Sequence, residues 1–272
     1  MNSEEIKKYL TTKVMGSEVE YHDIIGSTNN AADDAGKSGK DSGYLVVADR
    51  QDAGRGSRGR NWISPAGHNI FMSLMIRPQI PMDKVSGLTL VMAISVSEAV
   101  EDILYDFSYS EKLPGIKWPN DVVLNGRKIC GILTELHPEA DGSYYVVIGV
   151  GINVNQPGDL FSDEIKDMAG SVFSETGKKT DRSKLIALCM KHFEDNFEKY
   201  EKTMNLSLLK DTYEKRLLNI NKQVRVLDPL GEYEATALGI SDEGCLIVRS
   251  DDGEVKNINA GEVSIRGLYG YT

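Results

Sequence analysis

Gly54-Arg55-Gly56-Ser57-Arg58-Gly59-Arg60 puts three arginines and three glycines into seven positions of a chain that is acidic overall. Guanidinium groups stay charged and present a planar fork that matches carboxylate or phosphate oxygens. Glycines let the backbone approach a ligand closely and take positive φ. Such a run can gather and cover anions. The alternative is a flexible surface loop whose arginines only keep it solvated, but glycine and arginine interleave here with a single serine and no glutamate, unlike the filler of an ordinary linker. Gly54-x-Gly56-x-x-Gly59 has the spacing of a dinucleotide fingerprint, which requires a helix to open at the glycines. Asn61-Trp62-Ile63-Ser64-Pro65-Ala66-Gly67 follows instead and is no helix. A phosphate-binding P-loop is excluded as well, because Arg60-Asn61 stand where it needs Lys-Ser/Thr.

A second group is Lys117-Trp118-Pro119-Asn120-Asp121, followed by two apolar runs joined by Asn125-Gly126. Asn-Gly between such runs predicts a β-hairpin. Lys128 then lies at the start of the return strand, held by the ladder. A lysine there is either a solvated edge residue that discourages aggregation or a fixed cation in a site. Gly131 in the same strand favours the site, since an interior glycine marks close approach of a ligand or backbone. Asp121 suits a turn residue or a Mg²⁺ ligand near phosphates, and the spacing does not separate the two. The four histidines, His22, His68, His137 and His192, show no metal spacing, and His192 falls on an apolar helix face. No Gly-x-Ser-x-Gly elbow occurs, so a zinc site or a nucleophilic triad is disfavoured.

Alternating strands and helices must position these residues. Apolar patterning predicts a short helix over 3–10 capped by Ser3, strands over 19–25, 44–48, 69–77 and 144–154, and the hairpin of 122–124 with 127–136. Ser27-Thr28-Asn29 reads as a turn and helix start after Gly26. Longer amphipathic helices are expected over 83–104 and 183–202. Gly149 and Gly151 weaken a plain sheet role for their strand and suggest close approach. Beyond residue 220 the pattern changes to short strands over 223–227, 233–240, 245–249, 255–258 and 263–266, which suggests a small barrel. The reading is a larger mixed α/β or α+β unit over 1–220 and a small β unit over 221–272.

The chain has 272 residues, 40% hydrophobic and 26% charged, a globular balance. With 31 Lys+Arg against 41 Asp+Glu the net charge is −10, which argues against a general nucleic-acid surface. Cys130, Cys189 and Cys245 are far apart and odd in number, so free thiols in a reducing cytosol are expected. No signal-peptide core and no apolar stretch of about 18 residues is present, so no membrane span is expected.

Ser27-Thr28-Asn29, the run from Gln51 through Arg60 with Trp62, Lys117-Trp118-Pro119-Asn120-Asp121, Arg127-Lys128-Ile129-Cys130-Gly131-Ile132-Leu133-x-Glu135 and Gly149-x-Gly151-Ile152-Asn153 occur together in the order seen in biotin protein ligases (biotin–[acetyl-CoA-carboxylase] ligases). Gly261-Glu262-Val263-Ser264 also resembles that family's C-terminal segment. The resemblance covers nearly the whole chain. It implies an α+β fold: a mixed sheet with flanking helices, like the class II aminoacyl-tRNA synthetases, plus a small C-terminal SH3-like β-barrel. It also implies a two-step reaction. Biotin and Mg·ATP give biotinyl-5′-AMP and pyrophosphate, and a lysine of a biotin carboxyl carrier domain then attacks the acyl-adenylate. The carrier would belong to acetyl-CoA carboxylase or another biotin-dependent carboxylase.

Carried over by motif, Ser27, Thr28, Asn29, Gln51, Gly54, Arg55, Gly56, Ser57, Lys128 and Gly131 would contact biotin. Arg55 and Lys128 would be the catalytic cations, with Lys128 reaching the biotin carboxylate and the α-phosphate. Arg58, Arg60, Trp62, Trp118, Asn120, Asp121 and Asn153 would lie on the ATP side, with Asp121 toward Mg²⁺. About twenty residues precede the first strand. That is too few for the winged helix-turn-helix some members carry, so a cytoplasmic, ligase-only type without DNA contacts is implied; a homodimer is compatible with the family. Rival readings are a lipoate or octanoate transferase of related fold, a non-catalytic biotin-sensing regulator, and an RNA-binding module. The Gly/Arg loop with Trp62, the retained Lys128 and the acidic balance stand respectively against them.

Many family loops carry arginine where this chain has Ser57. The expected consequence is earlier escape of biotinyl-AMP from a loop that covers it. Single-turnover assays should find less free intermediate with Ser57→Arg than with the wild type; equal release from both removes the inference.

Overall fold

The structure, a computed structural model, describes residues 1–56, 59, 62–109, 113–228 and 231–259, and the backbone of 264–267. The expectations placed on Ser57, Arg58, Arg60, the turn at Pro229 and Gly261–Val263 lie outside them.

Helix α1 (Ser3–Lys7) is shorter than expected, and its cap is Asn2, whose side chain accepts from the Glu5 N–H, not Ser3. A seven-stranded sheet follows, built from β1 (Glu18–Ile25), β2 (Tyr44–Gln51), β3 (Ile70–Ile76), β4 (Gly115–Lys117), β5 (Asp121–Leu124), β6 (Arg127–Pro138) and β7 (Tyr144–Ile152). Its order is β1-β2-β3-β7-β6-β5-β4. Only the β1–β2 pair is parallel, and α2 (Thr28–Lys37) makes that crossover. The Asn125-Gly126 hairpin forms as expected, with φ of 52° and 83°, the double positive φ that a two-residue turn requires.

Strand alternation sorts the sheet residues onto two faces. One face carries Leu45, Val47, Ile70, Met72, Leu74, Ile76, Ile148, Val150, Ile132 and Cys130, all buried in the main core. Against it pack α3 (Gly87–Asp106) and α5 (Arg182–Thr203). Burial pushes the Cys130 thiol well above its ordinary value, so it is an inert core residue. His192 pairs with Asp102 and Glu98 of α3, and so joins the two helices instead of entering an apolar core.

The opposite face is only partly covered. There α2 seats Ala32 and Ala35 on Tyr44, Val46, Met75, Tyr145 and Val147. Tyr145 holds the helix by a hydrogen bond of 2.6 Å to Asp33, which also pairs with His137 and Lys37. Beyond α2 the same face continues through Ser73, Gly149, Gly151 and Gly131. Gly149 lies opposite Ser73, and Gly131 opposite Gly151. Side chains too small to fill the space leave a trough at this end of the sheet.

Two short helices that the sequence patterning does not mark, α4 (Val172–Thr176) and α6 (Lys210–Glu214), complete the larger part. The C-terminal strands β8 (Gln223–Leu227), β9 (Tyr233–Ile240), β10 (Leu246–Ser250), β11 (Val255–Ile258) and β12 (Ser264–Gly267) form a five-stranded antiparallel sheet, order β11-β10-β9-β8-β12. Among the described residues no helix is long and apolar enough to cross a membrane.

Because Tyr145 anchors the helix that begins at Thr28 and Asn29, Tyr145→Phe should cost about 1.5–3 kcal/mol, the range for a hydrogen bond to a charged group. Urea denaturation checks this; an unchanged midpoint would mean that apolar packing alone seats α2.

Candidate active site

The trough is a cavity of about 500 Å³, the size that takes a small organic ligand. Its floor is the glycine strip. A Cβ on Gly149 would overlap the Asn29 amide, and one on Gly131 or Gly151 would sit about 2.7 or 2.6 Å from the Trp62 ring. Glycine is therefore a steric requirement at all three positions.

One wall is the N-terminus of α2. Ser27 caps the helix in an extended conformation without spending its side chain on a cap hydrogen bond. Ser27, Thr28 and Asn29 are buried and line the cavity. Gln51 Oε1 accepts from both the Thr28 N–H and its hydroxyl, at 2.8 and 3.1 Å. Ser73 Oγ lies within 2.8 Å of Thr28 Oγ1 and 2.7 Å of Asn29 Oδ1. Asn29 Nδ2 donates to Glu135 at 2.6 Å. These side chains are locked by one another before a ligand arrives.

Lys128 reaches this face through a β-bulge. Val123 pairs with Lys128 but Val122 pairs with Cys130, leaving Ile129 as an extra residue. In an unbulged strand Lys128 would share the core face of Cys130; the extra residue returns it to the face of Gly131 and Asp121. The backbone groups freed by the bulge find partners. Lys128 N–H donates to Met168 O at 2.7 Å, Gly170 N–H to Lys128 O at 2.9 Å, and Asn153 N–H to Ile129 O at 2.7 Å.

The Lys128 ammonium lies 2.5 Å from Asp121 and 5.3 Å from the centre of the Trp62 ring. Its side chain is 21% exposed, so it is not the solvated edge lysine of the alternative reading. Arg55, from the Gly/Arg loop, pairs with Glu135 at 3.1 Å. Both cations thus have a carboxylate partner, and an incoming anion takes over positions already electrostatically prepared.

The profile of the Biotin/lipoate A/B protein ligase family matches residues 21–153, and that of the biotin protein ligase C-terminal domain matches residues 220–266. The bifunctional ligase/repressor BirA of Bacillus subtilis is 38% identical over 265 residues, covering 97% of this chain and 79% of that one. The biotin–[acetyl-CoA-carboxylase] ligase of Mycobacterium tuberculosis is 31% identical over 243 residues, covering 88% and 85%. The chain belongs to the biotin protein ligase family. Among solved structures, a biotin protein ligase from Aquifex aeolicus in complex with biotin and ATP superposes with a TM-score of 0.78 at 31% identity, covering 92% of this chain and 99% of that chain.

Of the residues expected from the biotin ligase motifs, Ser27, Thr28, Asn29, Gln51, Arg55, Gly56, Trp62, Asn120, Lys128, Gly131 and Asn153 all line the one cavity. Gly54 lies behind it, too close to the Trp62 carbonyl and Ser64 to carry a Cβ. Asp121 does not line the cavity but pairs with Lys128, which does. Trp118 does not line it: the ring is buried, and its N–H donates to Gly244 O at 3.0 Å. Motif reading missed the opposite wall, the segment 156–169, which contributes Leu160, Phe161, Ile165 and Met168. Phe161, Ile165 and Met168 stand at i, i+4 and i+7, a helix-like spacing, but the segment folds as consecutive turns. Ser73 and Glu135 were also unassigned; the only signal was Glu135 at the end of the Lys128 motif.

Gly131→Ala should lower kcat/KM for the biotin-dependent reaction at least tenfold, about 1.4 kcal/mol, by forcing Trp62 and Lys128 off the floor. Steady-state kinetics on the folded variant checks this; wild-type kinetics would show that the floor has room to spare.

Proposed function

We infer that this chain activates biotin with ATP and transfers it to a lysine of a biotin carboxyl carrier domain. The observation that carries the reading is Lys128, displaced by a bulge onto a glycine floor inside an 11-residue cluster of the family's motif positions around one cavity. Two anions, the biotin carboxylate and the ATP phosphates, must meet there. A carboxylate oxygen attacks the α-phosphorus, the bond to the β-phosphate oxygen breaks, and pyrophosphate leaves with its electron pair. The lysine amine of the carrier then attacks the acyl carbon, an amide forms, AMP departs, and the amine loses its proton to solvent. Neither step needs a nucleophile from the enzyme. Positioning and charge compensation suffice, and both come from Lys128 and the arginines of the Gly/Arg loop.

The glycine floor and Trp62 suit the compact fused rings of biotin, and the polar wall of Ser27, Thr28, Asn29 and Gln51 suits its ureido group. Asn120 and Asn153, beyond Lys128, are assigned to the nucleotide side. The Asp121 carboxylate is committed to Lys128 at 2.5 Å, and no group of three or more His, Cys, Asp or Glu side chains among the described residues could hold a metal. Asp121 is therefore assigned to holding the lysine, and Mg²⁺ to the ATP phosphates it accompanies as substrate. Acetyl-CoA carboxylase, named in the relative from M. tuberculosis, supplies the chemistry of the partner: a carrier domain presenting one lysine.

Biotin-dependent exchange of pyrophosphate into ATP tests the reading, with lipoate as control. Exchange should appear with biotin alone, and its absence would sink the proposal. Lys128→Ala should reduce exchange by about 10²–10³-fold, the cost of one oriented charge-stabilising group, while leaving the folded spectrum intact. Near-normal exchange would mean that another cation does this work.

A further inference from the structure

The Trp118 ring sits outside the cavity, yet it is tied to the site from behind. Residues 118–120 are the loop between β4 and β5, whose flanking residues Lys117 and Asp121 pair directly. Strand β4 and the outer side of this loop are anchored by four hydrogen bonds to the segment that leads into the C-terminal sheet and to a turn within that sheet. Ile116 exchanges hydrogen bonds with Arg216 and Leu218 at 2.7 and 2.9 Å. Trp118 N–H donates to Asn219 Oδ1 at 2.9 Å. The indole N–H donates to Gly244 O, in the turn between β9 and β10, at 3.0 Å. Gly244 has φ of +84°, and a Cβ there would meet Leu206 Cδ1 at 2.8 Å, so only glycine presents its carbonyl to the indole this closely.

The inner side of the same loop builds the cavity. Asn120 lines it and is clamped to Ile132, giving and receiving hydrogen bonds of 2.9 and 3.1 Å. Asp121, the next residue, holds Lys128. Three consecutive positions after Trp118 therefore run from the C-terminal sheet to the central cation. A shift of the loop by a fraction of an ångström moves the carboxylate that aims the ammonium. It leaves Ser27, Thr28, Asn29 and Gln51, across the cavity on α2 and β2, where they are.

We propose that Trp118 is a positioning residue, by which the seated C-terminal sheet sets the Asp121–Lys128 pair for adenylate formation. This rests on the ligase reading. It gives the C-terminal sheet a role that needs no contact of its own with biotin or nucleotide. The buried indole N–H distinguishes it from a ring that merely fills space, since phenylalanine can fill most of the volume but cannot donate.

The test is biotin-dependent ATP–pyrophosphate exchange with Trp118→Phe, alongside calorimetric biotin binding. Leu206→Ala, which loosens the packing against Gly244 but keeps the indole hydrogen bond, is the comparison. Trp118→Phe should lower kcat about tenfold while its biotin Kd stays within twofold of wild type. Leu206→Ala should lose comparable thermal stability yet keep kcat within twofold. Equal kcat in Trp118→Phe and wild type overturns the proposal. So does a parallel loss of biotin binding, as an unfolded variant would give, or an equal loss of kcat in Leu206→Ala. Absence of exchange in the wild type itself would instead count against the ligase reading.

Discussion

One extra residue in one strand organises this site. An antiparallel ladder would send Lys128 into the apolar layer with Cys130, where a charged ammonium would lose its hydration without compensation. The bulge at Ile129 turns it to the face that α2 leaves open. Everything else adjusts to that displacement. Asp121 lies opposite Gly131 on the same face and supplies the counter-charge; Met168, Gly170 and Asn153 take up the backbone groups that the bulge withdraws from the ladder. The lysine is thus fixed at both its main chain and its ammonium group.

The second constraint is volume. The sheet face under α2 is packed with Met75, Val147 and Tyr145, while the same strands carry Ser73, Gly149 and Gly151 a few residues on, beside Gly131 of β6. Changing side-chain size along shared strands turns a continuous sheet into covered core at one end and ligand trough at the other. Charge follows the same economy. In a chain of net charge −10, the cavity's Lys128 and Arg55 are each held by a carboxylate, so two anionic substrates meet cations that are already oriented.

Much of this was legible in one dimension. Asn125-Gly126 announced the hairpin that carries Lys128. Gly131, Gly149 and Gly151 each marked a close approach, which the Asn29 amide and the Trp62 ring make. Other features were invisible. The bulge leaves no sequence signature, because Ile129 is as apolar as its neighbours. The wall at 156–169 was overlooked although Phe161, Ile165 and Met168 keep a helix-like spacing, because spacing within one segment does not show which cavity it will meet. The family resemblance put Trp118 on the ATP side, and nothing in the sequence marked that its ring would be buried outside the cavity, against Gly244.

Residue identity by itself determined the local preferences: turn chemistry at Asn-Gly, alternation in strands, apolar faces on α3 and α5, and the types of group available for binding anions. These depend on backbone sterics and side-chain size within a few residues. Only the tertiary structure decided which side each group faces and what it meets. Lys128 to Glu135 span a few turns of text, yet their partners, Asp121, Asn29, Arg55 and the segment 168–170, come from four separate stretches of chain. Face and partner are set by strand register and by the packing of α2, α3 and the C-terminal sheet, and register is a property of pairs of strands.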